Sequence, residues 1–294
     1  MAFEDMKLTI PLEEGGQRLD SALAAISTFS RRRLQKAIDE GGVYLNKKRC
    51  RKAGRIIQGG EKVRIVMLDD EKLVPFSGEQ IVWREKSWVL VHKMAGQYAQ
   101  EALHRSKGTL PYELAMFLKL NPVQSKHLRP VHRLDKGTSG LMMFCYDPKA
   151  LQHLQHHWHQ AVDKEYIAVV SPAPEWDTLE ITSSLSARAD KAGRYHVDNK
   201  GKASKTEAFV VERKENRALL RLVPHTGRTH QLRVHLASVA CPIVGDTRYG
   251  GKKHTRLMLH AKVLEIKGYA MRSKQPQHVW SVEPEGEGKG EWQW

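Results

Sequence analysis

Cysteine is scarce in this chain: three residues, at positions 50, 145 and 241 of 294, far apart and never in a CxxC pair. That excludes a disulfide-stapled secreted scaffold and a thiolate zinc ribbon. Cys145 and Cys241 stand in apolar context, which predicts buried free thiols and a reducing compartment. Long apolar runs are also missing; none approaches the roughly 20 residues that span a bilayer. The first ten residues, MAFEDMKLTI, carry acids where a signal peptide is basic, and no apolar h-region follows. A cytoplasmic protein is expected. No P-loop, GxGxxG, zinc-finger spacing or nucleophile elbow occurs, and no internal repeat.

Acid is the other shortage. Asp and Glu number 33 against 48 Lys and Arg, giving a net charge of +15 and a pI of about 9.7. Such a surface calls for an anionic partner, and nucleic acid rewards it through phosphate neutralisation. A membrane partner would need a long basic amphipathic helix, which is absent. At 40% hydrophobic content the chain can build a substantial core, and its length suggests two domains.

Residues 16–66 read as a small module. Leu19, Leu23 and Ile26 recur at helical spacing. Ser30 is placed to cap a second helix with Leu34, Ala37 and Ile38 on its apolar stripe, ended by Gly41-Gly42. Short strands and turns follow. Arg31, Arg32, Arg33, Lys36, Lys47, Lys48, Arg49, Arg51, Lys52 and Arg55 come from two segments with few acids between them. A solvated face is the plain reading, and a phosphate-binding face the functional one. Residues 67–79 are polar, contain Pro75 and Gly78, and are expected as a linker. The second domain is expected over 80–282, with a polar tail at 283–294.

That domain is organised around Pro130–Phe144, PVHRLDKGTSGLMMF. Apolar residues flank a short polar core, the pattern of strand, tight turn and strand. An Asp on such a turn is held rigidly and still reaches solvent, which suits a catalytic carboxylate. It can equally do no more than cap its own turn. The pattern alone leaves both readings open.

HRLDKGTSG resembles the signature of the RluA-type pseudouridine synthases, and four further segments agree with that family in order. They are KEYIAVV (164–170), HTGRTHQLRVH (225–235), PIVGDTRYG (242–250) and LMLHA (257–261). The likeness covers roughly residues 80–282. The chain departs from the family after WVLVHK, where Met94 stands in place of the usual proline. The N-terminal module is similar to the αL RNA-binding domain of a ribosomal small-subunit protein, with Leu45-Asn46-Lys47 where that domain has Val-Asn-Gly.

The resemblance implies an isomerase that breaks a uridine's glycosidic bond, turns the base and rejoins it through carbon 5, without a cofactor. It implies Asp135 as the essential carboxylate, Arg233 as its cationic partner, and Tyr166 stacking on the base, with a hydroxyl able to take the carbon-5 proton. Arg133 and Arg228 are expected to hold RNA, together with Arg31, Arg32, Arg33, Lys36, Lys47, Lys48 and Arg49. The implied fold is α+β: a mixed, mostly antiparallel central sheet with flanking helices, after the small module. The expected partner is RNA, ribosomal RNA ahead of tRNA, bound by a monomer away from any membrane.

Asp147-Pro148 should start a helix with Leu151, Leu154, Trp158 and Ala161 inside. It carries His153, His156, His157 and His159, expected as a polar face and not a metal site. Thr229 is expected to cap a helix running to about residue 240, with Leu232, Leu236 and Val239 facing inward. The competing functions are a non-catalytic RNA binder and a metal- or two-carboxylate-dependent nuclease or glycosidase, which needs a second acid near Asp135.

Overall fold

The computed structural model describes residues 3–68, 72–271, 273 and 275–284. It divides into two compact units, residues 1–77 with 97–125, and residues 78–96 with 126–294. Residues 69–71 of the expected linker and 285–294 of the expected tail lie outside the described residues.

The first unit opens on a strand that the sequence reading passes over, β1 (Phe3–Thr9). Helices α1 (Leu19–Ile26) and α2 (Arg31–Glu40) follow, then β2 (Val43–Leu45), β3 (Lys48–Arg49) and β4 (Lys62–Leu68). The four strands form an antiparallel sheet in the order β1-β4-β2-β3. Ser30 caps α2 by accepting from the Arg33 amide, and Gly41 ends it in the left-handed region at φ 96°. Leu19, Leu23, Leu34, Ile38, Val43 and Ile65 are sealed in the core. The turn between β2 and β3 puts Asn46 and Lys47 both at positive φ, 48° and 67°. The lysine therefore takes the conformation that a glycine usually supplies in a tight hairpin.

Residues 97–125 carry α3 (Leu110–Phe117) and most of α4 (Pro122–His127), and they pack in this unit. The cause is a set of polar contacts to the end of α2 and the β2–β3 hairpin. Lys107 Nζ donates to Asp39 at 2.7 Å, the Ser106 amide to the Glu40 carbonyl at 2.7 Å, and Arg49 Nη2 to the Ala102 carbonyl at 2.8 Å. Arg51 lies over the Tyr112 ring. Partners this distant in sequence leave no periodic trace, so sequence reasoning assigns the segment to the second domain.

The second unit is built on ten strands. Along the chain they are β5 (Ile81–Glu85), β6 (Trp88–Lys93), β7 (Arg129–Pro130), β8 (Ser139–Cys145), β9 (Val162–Val170), β10 (Thr178–Leu185), β11 (Lys202–Lys214), β12 (Arg217–Pro224), β13 (Leu259–Lys267) and β14 (Gln277–Ser281). The main order is β10-β11-β12-β9-β13-β8-β6-β5, with β14 on β13 and β7 on β8. All pairings are antiparallel except β13 with β8, so the sheet is mixed and mostly antiparallel, as expected. That parallel join is close: Gly140 sits at φ 118°, and a Cβ there would meet the Ala261 carbonyl oxygen at 2.2 Å.

Strand β8 is buried at every residue, the mark of a central strand. Helix α5 (Pro148–Ala161) covers part of the sheet with Leu154 and Ala161, capped by Asp147, which accepts from the amides of residues 149 and 150. Leu151 and Trp158 are only partly buried. A short helix α7 (Gly268–Met271) packs on α5. His153 Nε2 approaches the Tyr269 carbonyl at 3.2 Å and His157 Nδ1 the His153 carbonyl at 2.9 Å, so the expected polar face is tied to its own helix and its neighbour.

Candidate active site

Asp135 sits in the loop between β7 and β8. The loop is pinned on both sides: the Val131 amide bonds the Met143 carbonyl, and the Thr138 amide bonds the Asp135 carbonyl. From below, the Lys93 ammonium donates to the carbonyls of Met94, Lys136 and Thr138 at 3.1, 3.0 and 2.6 Å. Lys93 is fully buried, and burial pulls its amine down to about 7 against an opposing pull from the Asp135 charge. Three donors for three carbonyls is what an ammonium provides and a neutral side chain does not.

The Asp135 carboxylate remains partly open, with its side chain 27% exposed. Arg233 Nη1 donates to Asp135 Oδ2 at 2.9 Å. The same guanidinium uses Nε and Nη2 to grip both oxygens of Asp246, at 2.7 and 2.8 Å. Asp246 is buried and lies in the Pro242–Gly250 segment. Burial alone would strip charge from Arg233, but the two carboxylates more than offset it and hold it above the ordinary arginine range. Asp246 and Asp135 are thus bridged by one shared arginine.

Arg233 belongs to α6 (Gln231–Ser238). The helix does not start at Thr229. Its first flanking residue is His230, held in the left-handed region at φ 57° with no side-chain cap. Gln231 organises the turn instead. Its Oε1 accepts from the Arg228 amide and the Thr226 hydroxyl, and its Nε2 donates to the Lys205 carbonyl and Thr206 Oγ1. A buried glutamine with four bonds replaces the expected threonine cap. Leu232 and Leu236 face inward as expected, joined by Val234, while Val239 is only half-buried.

Tyr166 lies on β9, opposite Leu222 of β12 and Ala261 of β13. Burial, then the Asp135 charge, pushes its hydroxyl above the ordinary phenol range, and that hydroxyl makes no hydrogen bond among the described residues. Arg133 is exposed, and Arg228 is exposed with Nε on the Ala203 carbonyl at 3.2 Å. Leu257 packs against Gly137 in the Asp135 loop, and His260 takes a hydrogen bond from Ser139 at 2.8 Å. His260 is pulled down to about 3 by burial and is therefore neutral.

In the first unit the seven cations expected to hold RNA divide. Arg31 pairs with buried Asp20 at 3.0 Å, Arg33 with Glu4 at 2.7 Å, and Arg49 is engaged by backbone carbonyls and the Tyr44 ring. Arg32, Lys36, Lys47 and Lys48 are exposed and have no partner among the described residues. Acids remote in sequence thus occupy part of a face that reads as uninterrupted charge.

Asp246, Lys93, His230 and Tyr249 are the site residues that sequence reasoning did not assign. A lysine inside the apolar run WVLVHK was the one available signal, since a buried lysine needs a full set of acceptors.

The model of the RNA pseudouridylate synthase family matches residues 87–238, and that of the S4 domain matches residues 17–63. An uncharacterized RNA pseudouridine synthase of Aquifex aeolicus is 32% identical over 83% of this chain and 80% of its own. Ribosomal large subunit pseudouridine synthase D of Neisseria meningitidis is 33% identical over 84% of this chain and 67% of its own. The corresponding synthase C of Haemophilus influenzae is 29% identical over 92% and 88%. Among solved structures, human RNA pseudouridylate synthase domain containing 1 aligns with a TM-score of 0.56 at 25% identity, covering 72% of this chain and 86% of that one. With its polar loop, paired aspartate and arginine, and N-terminal S4 domain, this chain belongs to the RNA pseudouridylate synthase family and is an isomerase acting on RNA.

Proposed function

We propose that the protein converts uridine to pseudouridine in ribosomal RNA, with Asp135 as the carboxylate that acts on the nucleoside. The observation that carries this reading is the 2.9 Å contact between Arg233 Nη1 and Asp135 Oδ2 on a carboxylate still open to solvent. A guanidinium at that distance aims the Asp135 carboxylate and faces it with opposite charge when a bound base displaces water. Its other edge is locked by Asp246, so it cannot follow the substrate away.

The reaction breaks the bond from ring nitrogen 1 to the sugar, makes one from carbon 5 to the same sugar carbon, and moves a proton from carbon 5 to nitrogen 1. Atoms and electrons balance with no donor, oxidant or hydrolysis. Asp135 serves this either by adding to sugar or base or by taking a sugar proton. Tyr166 presents a neutral phenol, since burial opposes its ionisation; that suits packing on the uracil and donating a hydrogen bond more than abstracting the carbon-5 proton unaided.

A uridine in a helix must leave the stack first, at a cost of a few kcal/mol. Arg133 and Arg228, both exposed, are assigned to the RNA backbone around the extruded nucleotide. Arg32, Lys36, Lys47 and Lys48 are assigned to phosphates bound by the S4 domain, and Arg31, Arg33 and Arg49 to shaping that domain. The ribosomal preference rests on the relatives from Neisseria and Haemophilus, whose names give the large ribosomal subunit; tRNA is the alternative. We assign the active form as a cytoplasmic monomer.

Mapping pseudouridine in ribosomal RNA and tRNA from a strain lacking the gene, then adding back the purified protein, tests the substrate. Loss and restoration at a ribosomal site are expected. Loss confined to tRNA would overturn the ribosomal assignment.

A further inference from the structure

Asp135 has a second neighbour that its pairing with Arg233 does not explain. His230 Nε2 stands 3.7 Å from Asp135 Oδ2, the same oxygen that accepts from Arg233. On the other side of the ring, His230 Nδ1 lies 2.7 Å from the Tyr249 hydroxyl, and that hydroxyl accepts from the Tyr195 amide at 2.9 Å. The tautomer follows from the partners. At 3.7 Å the ring nitrogen is beyond hydrogen-bond length from the carboxylate, but a carboxylate only accepts, so its charge favours the tautomer with the proton on Nε2. Nδ1 is then an acceptor and takes the Tyr249 hydroxyl proton, and Tyr249 oxygen in turn takes the Tyr195 N–H. The donors then run in one direction and end on an N–H 3.7 Å from Asp135 Oδ2.

The backbone is bent to achieve this. His230 is in the left-handed region at φ 57°, a conformation that a residue with a Cβ rarely adopts. Tyr195 and Tyr249 hold the ring edge-on from two sides, with centroids 5.3 and 5.6 Å away. Asp246 and Tyr249 lie on one turn, so a single segment clamps both cationic and neutral neighbours of Asp135: Asp246 grips Arg233, and Tyr249 grips His230. The charged and titratable groups around the ring are Asp135 from the β7–β8 loop, Arg233 on α6, Asp246, Arg248 and Tyr249 on the turn, and Tyr195 on the loop between β10 and β11. Burial leads in lowering His230, so it stays neutral, and its tautomer matters more than its charge.

We infer that His230 is a positioning residue for the reaction: its Nε2–H holds the Asp135 carboxylate in the reactive orientation, and Tyr249, set by the Tyr195 amide, fixes the tautomer that makes this possible. The inference rests on the assignment of Asp135 as the reacting carboxylate. It adds a neutral donor 3.7 Å from the oxygen that Arg233 already holds.

The test compares His230→Leu, His230→Gln, Tyr249→Phe and Asp135→Asn in the full-length protein. Release of tritium from carbon-5-labelled RNA gives kcat and KM, alongside thermal melts. His230→Leu should lose at least about tenfold in kcat and Tyr249→Phe about as much, with KM within about twofold. His230→Gln, which keeps an N–H in place of Nε2, should recover to within about threefold of the native chain. Native kcat in His230→Leu, or a Gln variant no better than Leu with losses tracking the melts, overturns the inference. Activity in Asp135→Asn would instead sink the assignment of Asp135 on which it rests.

Discussion

Arg233 and Asp246 form a two-point pair, Nε to Oδ2 at 2.7 Å and Nη2 to Oδ1 at 2.8 Å, that leaves a single nitrogen, Nη1, for Asp135. Asp246 is sealed while Asp135 is partly open, so the guanidinium is fixed at its buried edge and offers its other edge to the reaction. Asp246→Asn keeps shape but loses the charge that anchors the fork. A misplacement of about 1 Å near reacting atoms costs on the order of a hundredfold, and that is the expected fall in kcat. Arg233→Lys should fare as badly, because one ammonium cannot hold two carboxylates in this geometry. Steady-state kinetics with melts to confirm folding would check both; near-native kcat in Asp246→Asn would contradict the role.

Lys93 supports the Asp135 loop from within. Lys93→Met fits the volume but leaves the carbonyls of Met94, Lys136 and Thr138 without their donor. A buried acceptor left unsatisfied costs about 1–3 kcal/mol, so a loss of at least about 2 kcal/mol in unfolding free energy is expected, together with reduced kcat. Urea unfolding measures the first. An unchanged midpoint would show that water replaces the ammonium without penalty.

The S4 domain's cations should separate into two groups. Neutralising Lys47 and Lys48 should lower RNA affinity and reduce the slope of log K against log salt by about one for each phosphate no longer neutralised. Arg31→Gln should lower the melting temperature more than the salt slope, because Arg31 serves buried Asp20. Filter binding over a salt series distinguishes them. Point changes serve better than removal of residues 1–66, since that would strip residues 97–125 of the unit they pack in.

Buried histidines set an acid limit on stability. Burial pulls His260 to about 3 and His235 to about 4, both below an unfolded value near 6.5. The unfolded chain then binds more protons than the folded one across that window. Their neutral packing contributes fully above about pH 6.5, and each histidine loses about 1.4 kcal/mol per unit as pH falls toward its folded value. Urea unfolding between about pH 7 and 5 should show this slope, and His260→Asn should remove one proton's share. A flat profile would contradict the assignment of these rings as buried and neutral.

Strand β8 was legible because an unbroken apolar run is a local property, and Ser30 and Asp147 were legible as caps for the same reason. The pairing of Asp135 with Arg233 was legible only through the resemblance, because nothing local joins residues so far apart. Asp246 and His230 lay inside recognised segments yet carried no local sign of their roles. Their meaning comes from the fold, which brings the 242–250 turn under α6. The missed cap at Thr229 shows the same limit: Gln231, reaching back to β11, won over a local rule.

Purified Asp135→Asn, given carbon-5-tritiated ribosomal RNA from a strain lacking the gene, should bind with native affinity and release no tritium above background, while the native chain releases it without cutting the RNA. Tritium release by the variant at a rate comparable to the native chain would contradict the account.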